Sequence, residues 1–342
     1  MQRVPRRGPT RRLLIPLAAG LIAFSACGGD SGGDNESRVT VYTGRHYGIE
    51  TVFEEFTANT GIEVRFTTGS DPELRERLIA EGKNTPADLV IVADAANISL
   101  SAEAGILAVI DSKVLESTIP AELRAEDGTW FALSRRLRVI MYSTDRVSEP
   151  PADYADLGDP RWMGRLCLRP STHPYTQSLV AGLINNLGSD RARSIVASWV
   201  ANDPLYINSD TDIVKAIAAG DCDVALANSY YLARLLSEDP EIPVALQWPD
   251  QESTGAHLNV SAAAVTAAAP NRAAAIRLLE WLATTGQKTF SDANNEYPAD
   301  PSVEPSAILA EFGPFVADTN SVRQLGVLNP DAVALLSAVG YE

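Results

Sequence analysis

The chain has 342 residues, 45% of them hydrophobic and 21% charged, which is enough for two domains with cores of their own and is the composition of a globular protein. Its formal net charge is −16, and residues 1–26 hold five arginines and no acid, so the remainder is more negative still. That balance argues against a nucleic-acid partner; it suits a cationic ligand, although an acidic surface also serves solubility alone.

The N-terminus reads as an export signal: arginines, then an apolar run over 13–24 that is too short to span a bilayer. Phe24-Ser25-Ala26-Cys27 resembles the lipobox of bacterial lipoproteins, in which the cysteine becomes the lipidated first residue of the mature protein. An ordinary cleaved signal is the alternative. Residues 28–37 (G-G-D-S-G-G-D-N-E-S) have nothing to bury and read as a flexible tether.

Residues 38–42 alternate as a strand and lead into the loop Thr43-Gly44-Arg45-His46-Tyr47-Gly48. Val52, Phe53 and Phe56 form a helical stripe, and 62–66 alternate again. Ser70-Asp71-Pro72-Glu73 has the spacing of a capping box with an early proline. The run 89–93 is a buried strand ending at Asp94, which reads as a helix cap. This β-α-β-α-β order is the signature of a parallel sheet. A second series follows: strands at 139–142, 166–168 and 205–207, and helices near 177–187 and 212–219. Strand-like crossings at 139–142 and 257–265 suggest two lobes joined by a hinge. An amphipathic helix is expected over 273–284, the five tryptophans read as core, and His257 belongs to a hinge strand. After Cys27 two cysteines remain, Cys167 and Cys222, either bridged or present as two buried thiols.

The stretch 221–236 organises the rest. The buried strand 224–227 runs into Asn228 and Ser229, both good N-cap residues, then Tyr230 and Tyr231, then leucines at helical spacing. Ligands in open α/β sheets sit beyond the carboxyl ends of strands, where this tyrosine pair falls. Two other strand-to-loop junctions also carry Tyr or His: Arg45-His46-Tyr47 and His173-Pro174-Tyr175. A free phenol ionises near pH 10, so a cluster of phenolates at neutral pH needs a highly charged, hard cation, and ferric iron is one. Zinc would favour Cys and His, and calcium or magnesium carboxylates and carbonyls.

Seven motifs in order give the chain a family likeness: V-Y-T-G-R-H-Y (41–47), A-D-L-V-I-V-A-D-A-A (87–96), W-F-A-L-S-R-R-L-R-V-I-M-Y (130–142), D-P-R-W-M-G-R-L-C-L-R-P-S-T-H-P-Y-T-Q-S-L-V (159–180), A-I-A-A-G-D-C-D-V-A-L-A-N-S-Y-Y (216–231), G-A-H-L-N-V-S (255–261) and N-E-Y-P (295–298). With these the sequence resembles the ferric-ion-binding proteins that serve bacterial iron ABC transporters, the bacterial transferrins. The resemblance implies a two-lobed α/β periplasmic-binding-protein fold of type II, with two parallel or mixed sheets joined by a strand hinge. The lobes would be 38–136 with 261–310, and 137–260 with 311–342, after the signal (1–26) and tether (27–37).

It further implies Fe³⁺ as transported ligand, held by Tyr230 and Tyr231, by Tyr175, and by His46 and Tyr47, with carbonate or no anion. A subgroup glutamate after the third strand has no counterpart here, where Val92-Ala93-Asp94 stands. Arg45 and Arg136 would hold an anion or balance the phenolates, unless they serve ordinary ion pairs, and His173 would stand behind the ligands. The implied partners are an ABC permease and, through a lipid anchor on Cys27 alone, the outer face of the cell membrane; a monomer is expected. A binding protein of the same fold for a polyamine, thiamine or a phosphonate is the second reading. An enzyme is the third, but there is no G-x-S-x-G, H-E-x-x-H or P-loop, and three histidines leave few general bases.

Overall fold

The computed structural model describes residues 37–320 and 322–342. The export signal, Cys27 and nearly all of the tether lie outside the described residues. In chain order the elements are β1 (Arg38–Thr43), α1 (Ile49–Thr60), β2 (Glu63–Thr68), α2 (Asp71–Glu81), β3 (Leu89–Val92), α3 (Ala95–Glu103), α4 (Lys113–Thr118), β4 (Phe131–Ser143), β5 (Leu166–Leu168), α5 (Pro174–Leu187), α6 (Ser189–Ala201), β6 (Leu205–Tyr206), α7 (Asp210–Ala219), β7 (Val224–Asn228), α8 (Ser229–Glu238), β8 (Val244–Gln247), β9 (Ala256–Val265), α9 (Arg272–Ala283), α10 (Gln287–Asp292), β10 (Tyr297–Pro298), α11 (Ala307–Ala310), β11 (Ala317–Asp318) and α12 (Asn329–Ala338).

Hydrogen bonding runs in the order β2-β1-β3-β9-β4-β7-β5-β6. β1 pairs in parallel with both β2 and β3, and β5 in parallel with both β6 and β7. β4 joins the two groups. Its residues up to Leu137 pair antiparallel with β9, and from Arg138 onward the partner is β7. The Tyr154 hydroxyl ties the crossing strands together, donating to the Arg138 carbonyl at 2.6 Å and accepting from the His257 amide at 2.9 Å.

Parallel strands covered by helices on both faces should be apolar throughout. β3 (L-V-I-V), β5 and β7 are indeed buried at every position. β2, at the edge, has no buried residue. α1 buries its stripe of Val52, Phe53 and Phe56 and stops at Gly61, whose φ of 74° a side chain would resist. Ser70 and Glu73 form the expected capping box at the start of α2. All five tryptophans are buried. Cys167 and Cys222 are disulfide-bonded, with Cα atoms 5.9 Å apart and 55 residues between them in sequence. Closing a loop of that length removes about 4 kcal/mol of unfolded-state entropy in the chain-entropy model.

Three expectations need correction. The strand expected at 139–142 is the end of the 13-residue β4. Its first part hid because Arg135, Arg136 and Arg138 interrupt the apolar pattern, yet Arg136 and Arg138 are buried. The helix expected from 177 begins at Pro174, because His173 accepts the Tyr175 amide and opens the helix early. α7 begins at Asp210 rather than 212, with Ser209 capping the Asp212 amide. α6 and β8 went unread, although α6 buries Ala192, Ile195, Val196 and Trp199 at helical spacing. Among the described residues no helix is long and apolar enough to cross a membrane.

Candidate metal site

β5 and β7 are parallel neighbours, so the helices that follow them start side by side. Tyr175 is the second residue of α5, and Tyr230 and Tyr231 are the second and third of α8. The Tyr175 and Tyr230 hydroxyl oxygens lie 3.4 Å apart. The Tyr230 and Tyr231 rings are 4.1 Å apart at 31°, so the two neighbours turn the same way instead of diverging. Both helix N-termini present partial positive charge to the phenols, which favours phenolate.

Burial raises all three phenols above their ordinary range, and crowding by the other phenols adds to this for Tyr230 and Tyr231. Arg136 lowers Tyr175 and Tyr230 in opposition. Its guanidinium carbon lies 5.1 Å from the centre of the Tyr175 ring. Burial works against its charge, but Tyr175, Glu296, Tyr230 and Asp94 outweigh that and hold it firmly protonated. Arg136 makes one long hydrogen bond, 3.4 Å to the Ser261 hydroxyl, and its Nε and Nη2 are buried without a partner among the described residues. Two unpartnered nitrogens beside the phenols can receive an oxyanion or offset phenolate charge.

Arg45 has a different task. It is 4% exposed, pairs with Glu296 at 2.6 Å, and bonds the Ser134 and Ser261 hydroxyls. Its guanidinium also lies over the Phe290 ring. Of the two arginines singled out in the sequence, Arg136 alone stands over a phenol, and Arg45 neutralises Glu296. His173 caps α5 and lies edge-on to Tyr175, the ring centres 4.5 Å apart. Burial, with Arg169 next, pushes its pKa down to about 3, so it is neutral at pH 7.

His46 and Tyr47 form a separate pair of tilted rings, centres 4.1 Å apart, in the loop after β1. Both are exposed, Tyr47 at 40%. Gly44 lets that loop pass the Asp71 carboxylate, which a Cβ there would strike. Arg234 joins Tyr47 to α8, its guanidinium 4.4 Å from the ring centre. Arg234 is three residues past Tyr231, on the same helical face. Tyr47 therefore leans on the face of α8 that carries Tyr231.

Sequence reasoning missed the layer beneath. Asp210 is fully buried, 2.5 Å from Arg138 and 3.7 Å from Arg169, and accepts the Asn228 amide that starts α8. Two arginines thus share this one buried carboxylate. The one signal for Arg138 was its place directly before the apolar run Val139-Ile140-Met141 of β4. Nothing in the sequence pairs it with Asp210. Among the described residues no group of three or more His, Cys, Asp or Glu is arranged to hold a metal ion. A metal bound here would rest on phenol oxygens.

Comparison with known proteins bears on the family and the fold. The family model described as bacterial extracellular solute-binding protein matches residues 51–312. The iron uptake protein A1 of Synechocystis is 35% identical over 358 residues, covering 97% of this chain and 99% of that protein. A Trichodesmium protein solved in complex with iron and citrate ligands is 40% identical and superposes with a TM-score of 0.84, over 89% of this chain and all of that one. The apo ferric-ion-binding protein A of Pasteurella haemolytica gives 0.83 at 34% identity, over 89% of this chain and 98% of that one. These solved relatives have the periplasmic-binding-protein fold, as the strand order here does. The chain belongs to the bacterial extracellular solute-binding proteins.

Proposed function

We propose that this protein captures ferric iron outside the cytoplasm and hands it to an ABC permease. The observation that carries the reading is the convergence of Tyr175, Tyr230 and Tyr231 under Arg136. Three phenols pressed together in a buried site are costly to ionise on their own. A trivalent cation reverses that cost, taking the protons' place on hard oxygen donors. Tyr47 and neutral His46 complete the set when their loop swings in. Four phenolates exceed the charge of Fe³⁺ by one, and Arg136 offsets the excess directly or through a small anion such as carbonate.

The same reading takes the chain as two lobes, 38–136 with 261–310 and 137–260 with 311–342, that close on the metal about β4 and β9. It works as a monomer and without enzymatic chemistry. Export and lipid anchoring at Cys27 place it on the outer face of the membrane. A polyamine or thiamine site would need unengaged carboxylates. The buried carboxylates around these phenols, Asp94, Asp210 and Glu296, are each bonded to arginine, serine or asparagine side chains. Titration of purified protein with a ferric salt tests the proposal. A visible phenolate-to-iron absorption band that saturates at one equivalent is expected; a colourless, metal-free protein would sink it.

A further inference from the structure

Asp94 lies at the end of β3 and its Oδ1 caps α3, accepting from the amide and side chain of Asn97. A cap needs no more than this. Its Oδ2, however, accepts two further hydrogen bonds from distant elements: the Asn259 side chain of β9 at 2.7 Å and the Ser178 hydroxyl of α5 at 2.9 Å. Asn259 answers on the other side, its carbonyl oxygen accepting the amides of Ala95 and Val260. All three side chains are at least 95% buried. Thus one carboxylate joins the β3–α3 junction, the crossing strand β9 and the helix that carries Tyr175. Ser178 stands three residues past Tyr175 on the same helical face.

We propose that Asp94 is a positioning residue: through Ser178, with Asn259 as its brace, it locks α5 against the β3–α3 junction and so fixes Tyr175 opposite Tyr230. The inference rests on the ferric-site reading and deepens it, because the latch sets how tightly the metal is kept. A hydrogen bond to a buried carboxylate is among the stronger kinds. Such outer partners typically change metal affinity 10–100-fold. Ser178 is also the expendable member. Without its hydroxyl Asp94 still accepts from Asn97 and Asn259, so no buried charge is stranded and the fold should survive.

The test uses Ser178→Ala and Ser178→Thr in the full chain. Loaded with ferric iron and challenged with a hydroxamate chelator, Ser178→Ala should release the metal about tenfold faster. Its visible band and the thermal midpoint of its iron-free form should match the parent, and Ser178→Thr, which keeps the hydroxyl, should restore slow release. Release at the parent's rate, or failure of threonine to restore it, overturns the latch. Hydrogen exchange of the iron-free proteins decides the matter independently of iron. In Ser178→Ala the amides of Ala95 and Asn97 should exchange faster together with the first turn of α5. If only α5 loosens, the latch is wrong. A parent that takes up no iron would sink the ferric reading, with the exchange result still deciding the latch.

Discussion

The two loop systems that bear tyrosines are built to different standards. At α5 and α8 the phenols of Tyr175, Tyr230 and Tyr231 are in mutual contact, braced from below by the Arg138–Asp210–Arg169 group and beside by Arg136. In the loop after β1, His46 and Tyr47 are exposed and lean on each other and on Arg234. One system is an assembled cluster of phenols; the other is an exposed aromatic pair on a loop. On the ferric reading proposed above, the first would hold the cation and the second would close over it.

The largest effect should come from the assembled side. Tyr230→Phe keeps the ring's packing and deletes one anionic oxygen from the centre of the cluster. Ferric affinity should fall by more than the roughly 10–100-fold typical of outer-partner changes, and the visible band should weaken. Tyr231→Phe should behave alike. The thermal midpoint of the iron-free protein should move little, since the ring's packing is kept and only a long hydrogen bond, 3.4 Å to the Tyr175 hydroxyl, is lost from the phenol pair. If both variants bind iron like the parent, the assembled cluster is not the metal site.

Next is Arg136→Gln. The arginine holds the Tyr175 and Tyr230 phenols down against burial, so its loss pushes both further up. Protons then compete better with the metal, and the pH at which iron loads should rise, with affinity at pH 7 falling about 10–100-fold. Glu296 keeps Arg45 as its partner, so the fold should tolerate the change. An unaltered loading pH would mean that Arg136 is structural only. Tyr47→Phe probes the exposed pair and should cost less, about tenfold, because water can take the place of an exposed ligand. The loss should appear as faster release, with the uptake rate little changed. A loss as large as that of Tyr230→Phe would erase the distinction between the two sides.

Much of this was legible in the sequence, and the limits have physical causes. The β-α-β order, the capping box at Ser70 and the placing of three tyrosine-bearing junctions after strands all follow from local periodicity and turn chemistry. What stayed hidden depends on pairing across the chain. Arg138 looks like a surface charge until Asp210 is brought beside it, and Arg136, a candidate by its family position, could not be tied to Tyr175. Arg45 reads as a site residue by its neighbour His46, but Glu296, 251 residues away, claims it. Asp94 was legible as a cap because capping is local; its bonds to Ser178 and Asn259 are not.

The smallest effect concerns the frame of the assembled side and should leave iron binding alone. His257 on β9 is 4% exposed, and both ring nitrogens are buried without a partner among the described residues. It faces Leu179, Gly182 and Leu183 of α5 across a cavity of about 10 Å³, room for one water. Burial, with Arg138 and Arg136 next, pushes its pKa down to about 3. A histidine whose folded pKa is depressed loses stability as pH falls below about 6.5, because only the unfolded chain takes up the proton. Asp71 and Asp250 act in the opposite sense. Burial raises each to about 7, so their contribution is greatest in acid and fades as pH rises to neutrality. The two trends oppose each other over nearly the same window. His257→Leu removes one side of the balance and fills the site with carbon. Relative to the parent, the iron-free variant should gain about 2 kcal/mol between pH 7 and pH 5 in denaturant melts. The rate of iron release at pH 7 should be unchanged. An identical pH dependence in parent and variant would show that the His257 ring picks up its proton in the folded protein after all.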